Sequence, residues 1–222
     1  MSIHRILAFL SILAVTGLGA ADPVVNIGGD SPQCRKLAVS DNGRAVLEFK
    51  ASGDFVRLPT GKTLEGKSLT FLCWAKRIKG GEAFQALISK PGRHTSLYIR
   101  NHGGVGFGVW LFGPPPKMFS VQKGNLPADR WYLLAGILDL EMKKIRLYAN
   151  GELLAEAPLN DPLEPTRECI VIGRGWEERD GQNFTGKLDA VRVFDKALSQ
   201  EEIRRIFDQE RTGYSPVGQQ AQ

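Results

Sequence analysis

The stretch Phe184-Thr-Gly-Lys-Leu-Asp189-Ala-Val-Arg-Val-Phe-Asp-Lys-Ala-Leu-Ser-Gln-Glu-Glu-Ile203 changes its hydrophobic period midway. Lys187 to Phe194, led by Gly186, reads as a strand in a chain whose apolar residues recur mainly with period two. Ser199-Gln-Glu-Glu202 then reads as a capping box, in which the Ser199 hydroxyl accepts from the Glu202 amide while Glu202 reaches back. Leu198 and Ile203 flank the cap as a hydrophobic staple, and Ile203, Ile206 and Phe207 form one apolar face. A strand thus runs into a short amphipathic helix that needs a sheet to lie against.

Upstream of that unit, no other segment reads as a helix. Short period-two runs are separated by Gly, Pro, Asn and Asp, from Ala45–Phe49 and Asp54–Leu58 through Ser96–Arg100, Val105–Phe112 and Met118–Val121 to Cys169–Gly173. Tyr148-Ala-Asn150-Gly151-Glu-Leu predicts a type I′ hairpin turn, because both central residues must take positive φ. The expected fold is all-β, a two-sheet antiparallel jelly-roll sandwich with one short C-terminal helix. The domain spans 45–210, a size that such sandwiches occupy as one unit. Asp22 to about Leu37 is weakly patterned, readable as a lead-in strand or a linker, so 22–44 is set apart as a lead-in. The polar 211–222 forms a flexible tail.

Met1-Ser-Ile-His-Arg5 is positively charged, Ile6 to Val15 is apolar apart from Ser11, and Thr16 to Ala21 ends in small residues. That order predicts a secretory signal over 1–21, cleaved near Ala20 or Ala21. The apolar run is about half of the roughly 20 residues a membrane span requires. A soluble protein, extracellular or periplasmic, is expected. The formal charge of +5 drops by one when Arg5 leaves, and the basic residues are scattered. With no basic stripe, nucleic acid is not an expected partner. Of the three cysteines, Cys73 and Cys169 read as small buried hydrophobes; export permits a bridge between them, which geometry alone decides.

The order Leu69-Thr-Phe-Leu-Cys-Trp74-Ala-Lys, Leu87-Ile-Ser-Lys90, Arg130-Trp-Tyr-Leu-Leu-Ala135, Ile145-Arg-Leu-Tyr-Ala-Asn-Gly151 and Ile170-Val-Ile-Gly173, closed by the strand–helix unit above, resembles the laminin-G-like jelly rolls of the concanavalin A-like lectin/glucanase superfamily. The resemblance runs from about Ala45 to Phe207. It implies two packed antiparallel sheets, with Ca²⁺ and carbohydrate or protein ligands common among relatives. It implies no single activity, because the fold hosts lectins, adhesion modules, structural domains and glycosidases.

Strand phase singles out two acids. Asp54 alternates with Val56 and Leu58, and Asp189 with Val191 and Val193, so both carboxylates point coreward. A buried carboxylate needs a partner or a metal. Relatives place their first and last strands side by side, which would let Asp54 and Asp189 share a structural Ca²⁺. The alternative is that each accepts backbone amides or pairs with an arginine. Ligand contact is expected on loops. Trp176 with Arg174, Arg179 and Asp180 offers an indole face ringed by polar groups, and Trp110 enters the stiff Gly-Pro-Pro-Pro turn. His102 lies in the loop Arg93–Gly104. Trp74 and Trp131 belong to strands and to the core.

No catalytic constellation emerges. Retaining glycosidases of this fold carry Glu-x-Asp-x-x-Glu on one strand; Glu178-Arg-Asp180 and Asp139-Leu-Glu141 only approach it. Gly103-Gly-Val-Gly-Phe-Gly108 lacks the βαβ context of a dinucleotide site and reads as a closely packed strand. The expected function is a secreted, non-catalytic module binding a glycan or an extracellular or cell-surface protein through surface loops. The alternatives are an atypical carbohydrate-active enzyme on the same fold and a structural envelope protein.

Overall fold

The computed structural model describes residues 22–50, 53–58, 64, 66–90, 94–115, 117–163, 169–176 and 181–214. Its strands are β1 Val25–Ile27, β2 Ala38–Asp41, β3 Arg44–Phe49, β4 Val56–Leu58, β5 Leu69–Arg77, β6 Phe84–Lys90 and β7 Thr95–Arg100. They continue with β8 Val105–Leu111, β9 Lys117–Lys123, β10 Trp131–Asp139, β11 Lys144–Ala149, β12 Glu152–Pro158, β13 Ile170–Ile172 and β14 Gly186–Phe194. One α-helix, α1, covers Gln200–Glu210 and runs into a 3-10 turn at Arg211–Tyr214. Two antiparallel sheets result. The eight-stranded one has the order β12-β11-β10-β5-β14-β3-β2, with β1 also on β14; the six-stranded one has the order β4-β13-β6-β7-β8-β9.

The sheets meet over an apolar layer that includes Leu47, Phe49, Phe71, Leu87, Ile88, Leu97, Ile99, Phe107 and Leu134. Phe107 of β8 crosses to the opposite sheet. Its ring meets Phe71 edge-on at 6.2 Å and lies against Gly136 of β10, where a Cβ would fall 2.1 Å from Phe107 Cδ2. Gly136 has no side chain because the neighbouring sheet occupies that space.

The capped helix forms as its sequence dictates: Ser199 Oγ accepts from the Glu202 amide at 3.2 Å and Glu202 Oε2 from the Ser199 amide at 2.7 Å. Asn150 and Gly151 take φ of 52° and 82°, the type I′ turn. The stretch 22–44 is more than a lead-in. β1 pairs with β14 and β2 with β3, so the sandwich begins near Val24, upstream of the expected boundary at Ala45. Cys34, Cys73 and Cys169 are all buried and unbridged. Trp74 is buried, yet it lies on the outer side of its sheet under α1, and Trp131 is half-buried rather than core.

Candidate functional site

Each sheet has an outer face, and the two are treated differently. On the eight-stranded sheet, Leu72, Trp74, Leu133, Ile137, Tyr148 and Phe194 pack under Leu198, Ile203 and Tyr214. Trp74 is held between the Phe207 ring at 5.9 Å and the Tyr214 ring at 3.9 Å, and its Nε1 donates to Glu210 at 2.7 Å. Helix and turn seal that face. Among the described residues, no helix covers the outer face of the six-stranded sheet.

Alternation decides what that open face carries. Leu97 and Ile99 of β7 and Val105, Phe107 and Val109 of β8 enter the inter-sheet layer. Ser96, Tyr98 and Arg100 of β7 therefore face outward, with Gly106, Gly108 and Trp110 of β8 and Met118, Ser120 and Gln122 of β9 beside them. Tyr98 stacks on Phe84 at 4.1 Å, and the Arg100 guanidinium sits 5.1 Å above the Phe84 ring and 5.6 Å above that of Tyr98. Arg100 Nε donates to Gln122 Oε1 at 3.3 Å. Ser120 and Gln122 are exposed, Arg100, Trp110 and Met118 are half-buried, and Ser96, Tyr98, Gly106 and Gly108 are buried, so this face is accessible at its β9 side and its two ends. Ser96 Oγ and Trp110 Nε1 are shut from solvent on this face with no hydrogen-bond partner, and Gln182 Oε1 is in the same condition at its margin.

The chain after β13 borders this face. The Arg174 carbonyl accepts from Ser89 Oγ at 2.8 Å. Glu82 accepts from the Gln182 amide at 2.5 Å and from Asn183 Nδ2 at 2.8 Å, and Gln85 Oε1 accepts from the Thr185 amide at 3.0 Å. The carboxylate and the amide tie residues 182–185 to the start of β6.

The expected ligand residues divide. His102 is exposed on the β7–β8 turn, its Nδ1 accepting from the Gly104 amide at 3.3 Å. Trp110 stands at the other end of β8. Arg174 is buried, its guanidinium 4.5 Å over the Phe55 ring, instead of being presented to a ligand. Trp176 is half-buried beside Gly181. Arg179 and Asp180 lie outside the described residues. Of the described candidates, Trp110 and His102 mark the two ends of β8. Arg100, Tyr98 and Gln122 complete that face and were missed by the sequence reading. Period two places Tyr98 between inward residues, but only tertiary structure shows which outer face the helix covers.

The two acids do not share a site. Asp54 precedes β4, half-buried, and its Oδ2 accepts the Lys50 amide at 2.7 Å. The strand it leads into pairs with β13 in the six-stranded sheet, whereas β14 lies between β5 and β3. Asp189 belongs to the other sheet. A bulge between Asp189 and Arg192, with Ala190 at φ 45°, breaks the alternation, so Val191 and Val193 point inward and Asp189 outward. There it accepts from the Tyr214 hydroxyl at 2.7 Å and pairs with Arg44 at 3.4 Å. Burial, then the Asp189 charge, raise the Tyr214 hydroxyl pKa and keep it a donor. A Ca²⁺ shared by Asp54 and Asp189 does not fit this arrangement, and the amide and arginine partners weighed as the alternative are what the side chains have.

With this geometry in hand, comparisons with known proteins place the chain. A laminin-G profile described as concanavalin A-like lectin/glucanases superfamily matches residues 50–204. An anhydrosialidase of Macrobdella decora is 30% identical over 125 residues, covering 50% of this chain and 16% of its own length. Among solved structures, the binding domain of Paraclostridial Mosquitocidal Protein 1 superposes with a TM-score of 0.60 at 12% identity, over 78% of this chain and 45% of that one. The CBM40 of the Ruminococcus gnavus IT-sialidase, solved with α2,3-sialyllactose, superposes with a TM-score of 0.58 at 18% identity, over 84% of this chain and 100% of that one. At those identities the likeness is one of fold. Matched over most of its length, the chain belongs to the concanavalin A-like lectin/glucanases superfamily as a laminin-G-type member.

Proposed function

We propose that this protein is an exported, non-catalytic carbohydrate-binding module that takes a glycan on the outer face of its six-stranded sheet. The observation that carries the reading is the asymmetry of the two faces: one is sealed by α1 and Tyr214, and the other presents a half-buried indole, an exposed serine and amide, and a guanidinium on stacked rings. Flat apolar surface edged by hydrogen-bonding groups suits sugar rings. The sialyllactose held by the CBM40 of similar fold supports a glycan, and a sialylated one first, as the ligand to try.

The similarity to an anhydrosialidase favours a second reading, carbohydrate turnover. Against it, Asp139 of the Asp139–Glu141 near miss is committed to Arg146 at 2.5 Å and the Met142 amide at 2.9 Å. A glycan array screened with the protein from Asp22 onward, in Ca²⁺ and in chelator, tests the proposal. Saturable binding, weakened by Trp110→Ala with no sugar released, is the expected result. Release of free sialic acid from a bound glycan would transfer the case to the enzyme reading. No binding to any glycan would refute the carbohydrate reading and leave a protein ligand. Loss of binding in chelator would reveal an ion held by residues other than the Asp54–Asp189 pair.

A further inference from the structure

The outward positions of β8 form an uneven series. Gly104, at the strand's approach, is followed by Gly106 and Gly108, and then Trp110 stands at the far end. Neighbours lie flat over the glycines: a Cβ at Gly106 would fall 2.3 Å from Tyr98 Cζ, and one at Gly108 2.6 Å from Met118 Cε. The glycines are buried, so Tyr98 and Met118 floor the strip between the two ends of β8. One end is apolar. Trp110 is half-buried opposite Met118, and Phe112, just past the strand, is 64% exposed beside the exposed Pro114 and Pro115. The other end is cationic and rich in donors. Arg100 sits over its two rings with no carboxylate within ion-pair distance among the described residues, and Gln122 and His102 are exposed next to it.

Building on the carbohydrate reading above, we propose that the ligand is an extended acidic oligosaccharide lying along β8, with a sugar ring on Trp110 and Phe112 and a carboxylate at Arg100, and not a single terminal sugar. The Arg100 guanidinium lies over Tyr98, whose ring covers Gly106, four residues along β8 from Trp110 and so about 13 Å away at a strand's rise per residue, further than one ring can reach. A guanidinium fixed over aromatic rings keeps forked donors free for a carboxylate, and an exposed aromatic adds a sequence-tolerant stacking surface. Contacts at both ends give affinity only to a chain long enough to touch both.

Calorimetry with sialic acid, α2,3-sialyllactose, a sialylated pentasaccharide and its neutral tetrasaccharide core tests this. Affinity is expected to rise at least tenfold from sialic acid to the pentasaccharide. Phe112→Ala is expected to abolish that gain while leaving sialic acid binding within twofold, Trp110→Ala to abolish the gain as well, and Arg100→Met to erase the preference for the acidic chain over its neutral core. Phe112 is exposed, so its variant carries no folding liability, and melting curves of the other two keep loss of fold separate. If sialic acid alone binds as tightly as the pentasaccharide, or Phe112→Ala leaves the length dependence intact, the extended-ligand proposal is overturned while the carbohydrate reading stands. If no saccharide of any length binds here or on the array, the carbohydrate reading itself is lost.

Discussion

Asp189 shows how one residue's surroundings can reverse its reading. Phase alone turns it inward; the bulge at Ala190 turns it outward, where the Tyr214 hydroxyl replaces solvent as its donor. Tyr214→Phe keeps the ring on Trp74 but leaves a buried carboxylate short of a hydrogen bond. It is expected to destabilise the fold by about 1–3 kcal/mol in a urea titration. Asp41 supplies the pH test. Burial works against its charge, but hydrogen bonds from Lys187 and Trp131 and the nearby Lys76 prevail and hold its pKa below the ordinary value. A depressed folded-state pKa contributes stability that is present above the unfolded carboxylate pKa of about 3.9 and lost as pH falls through the folded value. Thermal melts between neutral pH and acid should therefore show wild-type stability declining below about pH 4, and Asp41→Asn should remove part of that decline.

At the scale of elements, the legible parts were those whose signal is local. The Ser199–Glu202 box and the Asn150-Gly151 turn rest on side chains a few residues apart, and both formed as read. Pairings across the chain were not legible. Nothing in Val25–Ile27 announces that its partner is Val191–Val193, nor in Asp54–Leu58 that it joins β13 instead of β14. The same holds for the site: Trp110 and His102 could be nominated as residue types, but Arg100 became a candidate only once its neighbours Phe84 and Tyr98 were known. Packing between elements gives a further test. Gly136→Ala would drive a methyl into the Phe107 ring and is expected to cost about 1–3 kcal/mol, with near-ultraviolet circular dichroism reporting the disturbed Phe71–Phe107 pair.

At the scale of the whole molecule, the sandwich separates a face sealed by α1 from one that no helix covers among the described residues. Ending the chain at Gly213 removes the Tyr214 ring from Trp74 and the hydroxyl from Asp189 without touching the six-stranded sheet. Such a chain is expected to melt at a lower temperature with altered tryptophan emission, yet to keep its glycan profile on the array. A joint loss would mean that the two faces are coupled through the core. The three buried thiols add another vantage. Cys34 lies in the turn ahead of β2, Cys73 in the middle of β5 and Cys169 at the start of β13, each unbridged. Reagents can modify them only when the surrounding structure opens. Their labelling rates therefore act as three clocks for breathing motions in different parts of one sandwich, with the central Cys73 running slowest.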